Sequence, residues 1–338
     1  MPTWNDLLKP RPEEIWRELR QMRHRPPGRA SSGDRRATFT SSLEQAEQMF
    51  RAAATVGYAT RPLLLFYGIS QAGRAVAAAA VKASQNDYAL RSHGIATTDM
   101  TAADLTQVVE TAKGNGAFGQ VAEILGSSSL PGPTALGDIW ATIPEATEHP
   151  LASTSYPILT LEALDLDPYV ISSRPRGIVR GIPAGTVTED DPEGSLRAFL
   201  SRYPSMGDYE LVPLLDGRPN IQADEEGRTW AMVTWAASDG SLTTRRERYV
   251  LVTQPVYGAG HHPLIFPCVG GNQTVLHPLL AWWAILHALS NLARYQPVRW
   301  SEHIAVDTSK VAVAIEVLLD EAVTVVPDLI RHAIREVV

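Results

Sequence analysis

Apolar residues recur at helical spacing in the first and last thirds of the chain, and as short β-branched or aromatic runs in the middle. The densest helical pattern is LHPLLAWWAILHALSNLARYQPVRW, residues 276–300. Leu276, Leu279, Leu280, Trp283 and Leu286 fall on one side of it, and Trp282, Leu289 and Ala293 on the next. Pro278 suits a first helical turn, where its missing N–H costs nothing, and Pro297 marks the stop. A helix over 277–295 is apolar around most of its girth, so it is predicted to lie at the centre of the fold rather than on its surface.

Four more segments carry the same period. Residues 10–22 form a short amphipathic helix with Ile15, Trp16 and Leu19. A helix over 41–57 starts at Thr40 or Ser41, with Glu44 completing a capping box. The helix over 61–83 contains Gly68 and Gly73, each costing about 1 kcal/mol relative to alanine. Close approach of a second helix compensates such a cost, and 276–294 is the predicted partner. A helix over 309–325 buries Val311, Ile315, Leu318, Leu319 and Ala322, and Pro327 opens a last short helix. Short helices are also expected over 136–143 and 155–161. Residues 23–38 and the glycine-bearing stretch 111–119 are expected as flexible loops.

From about residue 166 the rhythm changes. DPYVISS, PRGIVRGIP, YELVPLL, RTWAMVTWA, RRERYVLVTQPVY and PLIFPCV are short and bounded by turn residues. Asp216-Gly217 and Asp239-Gly240 are turn pairs. Residues 242–252 pair with 229–236 as a hairpin, and Ser195–Tyr203 is a helix between strands. The fold class is therefore α+β: long helices from the N- and C-terminal thirds pack together, with a mostly antiparallel β-rich segment near 166–270. The expected organisation is a short helix and arginine-rich flexible arm over 1–38, then a single domain over 39–338.

With 338 residues and a net charge of -7, the chain is large enough for a sizeable core and carries no general positive charge for nucleic acid. Charge is uneven, however: residues 11–36 hold eight arginines against four acids. That is either a solvated face, or a contact for phosphate, nucleic acid or a partner protein. A single cysteine, Cys268, excludes an internal disulfide and a multi-cysteine zinc site. The opening MPTWNDLLKP has no apolar run of the signal-peptide kind, and no stretch reads as a membrane span, so a cytoplasmic chain is expected.

No metalloprotease, paired-cysteine, nucleophile-elbow or phosphate-loop motif is present. His277 and His287 stand about 15 Å apart along a helix and cannot share one ion. His261 and His262 sit in a glycine-rich turn, and neither a metal nor a cofactor is implied. The polar candidates lie elsewhere. Tyr67, Gln71 and Arg74 interrupt the glycine-bearing helix, and Arg91 and His93 follow it. Asn291, Arg294 and Tyr295 end the central helix. These side chains either line a polar groove between helices, where a guanidinium could hold a carboxylate, or lock the helix ends. Arg299 and His303 stand one helical turn apart, a spacing that suits phosphate with His as acid or base.

LLLFYGISQAGRA, Ser92-His93-Gly94 and ALSNLARYQPVRW together resemble the YaaC-like family over residues 40–338. That resemblance implies a bacterial protein with one long domain, and brings neither an assigned activity nor catalytic residues with it. Arg299-x-x-x-His303 is also similar to the pair of helical ribonucleases of the HEPN class, one residue short of their usual spacing and with Trp300 after the arginine. Such enzymes pair their sites across a homodimer. Three readings therefore stand: a protein acting through an interhelical polar pocket or interaction surface, a ribonuclease or nucleotide-acting enzyme using Arg299 and His303, and a non-catalytic scaffold that holds partners through its arginine-rich arm. Self-association is compatible with each.

Overall fold

A computed structural model describes residues 11–83, 88–90, 92–114, 116–130, 132–163, 176–225, 227–235, 264–270 and 273–338. The chain divides into two compact units. One is Thr154–Cys268; the other combines the described residues up to Ser153 with Val269–Val338.

The second unit is mainly helical. Its elements are α1 (Pro12–His24), α2 (Gly33–Ala53), α3 (Arg61–Ala79), strands β1 (Ile95–Thr98) and β2 (Val109–Ala112), α4 (Ala117–Ile124), β3 (Thr134–Ala135) and α5 (Leu136–Trp140). After the inserted unit come α7 (Pro278–Tyr295), α8 (Pro297–His303) and α9 (Ala312–Glu336). α7 is the centre, as its composition requires: every residue from Pro278 to Leu292 is buried. At about 1.5–3 kcal/mol for each fully buried large aliphatic side chain, its leucines alone supply a large share of the burial term. Its first turn is held from outside. His277 Nδ1 accepts from the Leu279 amide at 3.1 Å, and the His277 amide donates to Ser127 Oγ at 2.8 Å.

The two glycines of α3 explain how it packs. A side chain at Gly73 would enter the six-membered ring of Trp283 on α7. One at Gly68 would lie 2.8 Å from the ring of Phe50 on α2. Gly73 therefore faces the expected partner, whereas Gly68 admits a different helix. α9 runs without a break through Pro327, where the sequence suggested a new helix. Pro327 is itself buried between Val326 and Leu329, so packing on both sides of the proline carries the helix past its missing N–H.

The arginine-rich stretch is held in place. α2 begins at Gly33 rather than at Thr40 or Ser41, and a 3-10 turn spans Gly28–Ser31. Buried Arg35 donates to the carbonyls of Ala77, Ala78, Ala80 and Ala83, and Arg29 donates to Ala83 at 3.0 Å. Ala77 and Ala78 are among the last carbonyls of α3, which the helix leaves without partners, and a cation suits that end of a helix. On α1, Glu18 accepts from Arg331 and Arg335 of α9, which hold its carboxyl below the usual range. Arg20 and Arg23 pair with Glu47 and Glu44 of α2.

A small antiparallel sheet, order β1-β2-β3, was not anticipated by the sequence pattern. Its register sets Thr97 opposite Glu110, and Glu110 opposite Thr134.

The Thr154–Cys268 unit contains a six-stranded antiparallel sheet of β4 (Leu159–Ala163), β5 (Arg176–Ile182), β6 (Tyr209–Leu211), β7 (Ile221–Ala223), β8 (Thr229–Trp235) and β9 (Leu264–Ile265). The strand order is β6-β8-β5-β4-β9, with β7 also pairing with β8. Helix α6 (Pro192–Leu200) places Leu196, Phe199 and Leu200 in one core with Leu161, Val179, Val233 and Trp235. Residues 159–163 are a strand where a helix over 155–161 was expected; Leu159 and Leu161 point inward at period two, and β5 and β9 pair on either side. The predicted partner strand over 242–252, DPYVISS, His261 and His262 lie outside the described residues.

Gly73→Leu should overpack the α3–α7 contact and lower stability by about 1–3 kcal/mol or more. Urea unfolding reads this directly, and an unchanged midpoint would mean that Trp283 does not rest on that position.

Candidate functional site

The helical period places Tyr67, Gln71 and Arg74 on one half-buried stripe of α3, and His287, Asn291 and Arg294 on one stripe of α7. β1 and β2 bring Thr97 and Glu110 to the second stripe. A hydrogen-bonded chain joins them. Glu110 is fully buried. One of its oxygens accepts from Thr97 Oγ1, and the other lies 2.9 Å from His287 Nδ1. Asn291 Nδ2 donates to Thr97 Oγ1 at 2.7 Å and lies 3.1 Å from His287 Nε2. Asn291 Oδ1 accepts from Arg294 Nη2 at 2.7 Å, and Arg294 Nη1 donates to Tyr67 Oη at 2.7 Å.

These distances admit one consistent polarity. Glu110 has only acceptors to offer as a carboxylate. His287 therefore carries its proton on Nδ1 and leaves Nε2 to accept from the Asn291 amide. The Asn291 carbonyl then faces Arg294, and the guanidinium reaches Tyr67. Because Tyr67 Oη accepts there, its own proton is left for another acceptor. A buried acid behind α7 thus fixes the orientation of an arginine at the half-buried edge of the site. The burial is tolerated because the polar side-chain atoms of Glu110, Thr97, His287 and Asn291 all have partners.

His93 stands at the open side. The Ser92-His93-Gly94 turn crosses the start of α4, where the amides of Ala117 and Phe118 donate to the carbonyls of Ser92 and His93 at 2.7 and 3.0 Å. Gly94 has φ +70°, and a side chain on it would lie 2.5 Å from the Gly116 backbone. Glycine is required there for both reasons. The same contact occupies the Ala117 and Phe118 amides at the start of α4 with carbonyls, so these two are not open to an anion. The His93 ring is 5.2 Å from Phe66 and 6.4 Å from Tyr67, and Phe66 also touches His287 at 5.1 Å. Desolvation beside Phe66 lowers the pKa of the otherwise exposed His93, and the positive fields of Arg294 and Arg74 lower it further. His93 is therefore neutral at pH 7.

Tyr67, His93, Asn291 and Arg294 meet, with Arg74 within electrostatic reach. Gln71 lies on the α3 stripe between Tyr67 and Arg74. Tyr295 is exposed and packs under the Arg294 guanidinium, 4.9 Å from its ring centre. Arg91 lies outside the described residues. Arg299 and His303 share α8 but face different surroundings. Arg299 donates to Glu302 at 2.8 Å near the surface. His303 is buried, with an Nε2 that has no partner among the described residues, and burial followed by the Arg299 charge lowers its pKa.

Sequence reasoning missed Thr97 and Glu110 altogether, and weighed His287 only as a metal ligand. No local signal marks Glu110 as buried; only the strand pairing places it behind α7. Among the described residues, no group of three or more His, Cys, Asp or Glu is arranged to hold a metal ion. Nor is any described helix long and apolar enough to cross a membrane.

The model of the YaaC-like Protein family matches residues 13–334, nearly the whole chain. The chain belongs to the YaaC-like family. The match runs through both units, and takes in the α3 and α7 stripes and the turn that carries His93. Comparison with curated proteins and with solved structures finds no match in either.

Glu110→Gln inserts an N–H where both neighbours now donate, against His287 or against Thr97. Leaving one buried group unsatisfied should cost roughly 1–3 kcal/mol. Retention of the wild-type urea midpoint would show that the chain is not held from Glu110.

Proposed function

We propose that this YaaC-like protein binds a small anionic ligand at the polar site between α3 and α7. Arg74, Arg294, His93 and Tyr67 are the recognition groups, and Gln71 and Asn291 accompany them. One observation carries the reading: Arg294 is bonded to Tyr67 beside His93, with Arg74 within electrostatic reach of His93, yet neither arginine pairs with a carboxylate among the described residues. Other arginines of the same unit are matched, as Arg51 is with Glu13 and Glu47, and Arg331 with Glu18. An orientation fixed from a buried carboxylate is what ligand recognition requires, because an arginine already held in place loses little freedom on binding.

The α1 surface supports a second reading, in which the protein holds an acidic partner. An open groove is lined by Arg17, Arg20, Gln21, His24 and Arg25. Arg20 is paired with Glu47, whereas Arg17 and Arg25 have no ion-pair partner among the described residues.

Sulfate keeps its charge across the histidine range and so isolates the contribution of His93. An anion beside the ring raises the depressed pKa, so bound protein takes up a proton that free protein does not. Sulfate affinity should therefore rise as pH falls from 7 towards 5, by about tenfold for each unit by which the bound pKa exceeds the free one. His93→Gln should flatten that profile, and Arg294→Gln should weaken binding at every pH. Calorimetric titration checks both; a pH-independent wild-type affinity would remove His93 from the site. For the second reading, Arg17→Glu with Arg25→Glu should abolish capture of an acidic polypeptide such as poly-glutamate while leaving sulfate affinity unchanged. Undiminished capture would dismiss the groove.

A further inference from the structure

Three surfaces offer unabsorbed chemistry: the α1 groove, the exposed apolar residues Tyr295, Val298 and Val306 around α8, and the recognition groups of the α3–α7 site. The groove lies on a single helix, and nothing indicates what would cover the α8 residues. The α3–α7 site carries more, because its donors can be counted one by one.

We infer that the ligand of the α3–α7 site is a phosphate monoester, bound by its terminal phosphate group between Arg294, Tyr67, His93 and Arg74. This rests on the anion-binding reading and narrows it by charge and by donor geometry. The charge to be met is that of two guanidiniums without carboxylate partners. A carboxylate or a phosphodiester brings one negative charge, whereas a phosphate monoester carries about -1.5 to -2 at neutral pH. Glu110 contributes little to neutralising Arg294 directly, since His287 and Asn291 stand between them.

Donor geometry points the same way. A carboxylate is best held by a complete arginine fork. In Arg294 both Nη atoms already donate within the protein, to Tyr67 and to Asn291. Its Nε is sealed from solvent and has no partner among the described residues, so the side-on fork is closed to a ligand. What remains is a set of single donors from separate elements. Around Arg294 they are its spare Nη hydrogens, the hydroxyl proton of Tyr67 and the ring of His93; the Arg74 guanidinium, unbonded among the described residues, adds a second positive charge within electrostatic reach of His93. Donors converging from several directions suit the three terminal oxygens of a tetrahedral phosphate better than the two in-plane oxygens of a carboxylate.

The test uses the full-length protein and three probes that share one ring: phenyl phosphate, a monoester; methyl phenyl phosphate, a diester with one charge; and benzoate. Calorimetry at pH 7.5 should find phenyl phosphate bound about tenfold or more tighter than either monoanion, the worth of roughly one added charge-assisted hydrogen bond. Arg74→Gln, at a half-buried position with no bonded partner among the described residues, should erase most of that preference while circular dichroism stays unchanged. Arg294→Gln should weaken all three probes. If benzoate binds as tightly as phenyl phosphate, and Arg294→Gln weakens both, the site is an anion site but the monoester assignment fails. Equal binding of the diester overturns it in favour of a nucleic-acid backbone. Absence of binding by every probe, or binding unaffected by both substitutions, defeats the monoester assignment and the anion-binding reading together.

Discussion

Trp283 rests on α3 where Gly73 has no side chain, and the rest of the helical unit depends on that contact. It brings two helices close enough for polar stripes on their flanks to meet. Without it, the Tyr67 hydroxyl could not stand 2.7 Å from Arg294. The cost is about 1 kcal/mol of helix propensity at Gly73, offset by burying the largest side chain of α7 to 0% exposure. A second glycine contact, Gly94 against Gly116, does the same work for His93. Both glycines matter for the backbone approach they allow, which in turn decides which polar groups can be neighbours.

Behind the site, polarity is fixed by a residue with no freedom to choose. A carboxylate only accepts, so one buried acid sets the direction of every hydrogen bond from Glu110 through His287 and Asn291 to Arg294. This arrangement is stiff because a reversal at any point would set donor against donor. It also explains how a site can keep a guanidinium ready without a carboxylate beside it. The orienting acceptor of Arg294 is a neutral amide, so its positive charge is not neutralised by a carboxylate among the described residues. The same logic separates this site from the Arg299–Glu302 pair on α8, where the arginine is already neutralised.

The arginine-rich N-terminal stretch shows how composition can mislead about mobility. Counted as charge, it reads as a solvated arm. In the fold, Arg29 and Arg35 cap the end of α3, and Arg20 and Arg23 bridge to α2. Helix ends present carbonyls that need donors, and arginine can reach several of them at once. Among the described residues, Arg17 and Arg25 of the α1 groove have no ion pair.

The amino-acid sequence by itself determined the elements whose signal is local. α7 follows from an apolar run too long and too uniform for a surface helix, bounded by Pro278 and Pro297. α3 follows from its period, its close packing from its glycines, and the antiparallel unit from short β-branched runs between turns. Asn291, Arg294, Tyr67 and His93 were visible as polar residues in apolar surroundings. Tertiary structure alone decided the role of Glu110. IATT and VETA are too short and too polar to announce strands, and a glutamate in either reads as a surface residue. Its burial comes from pairing with β1 and β3 and from the cover that α7 provides, none of which is encoded within a few residues of it. For the same reason, Pro327 looked like a boundary and proved to be interior: local propensity favours a break by about 3 kcal/mol, and packing along both sides of α9 outweighs it.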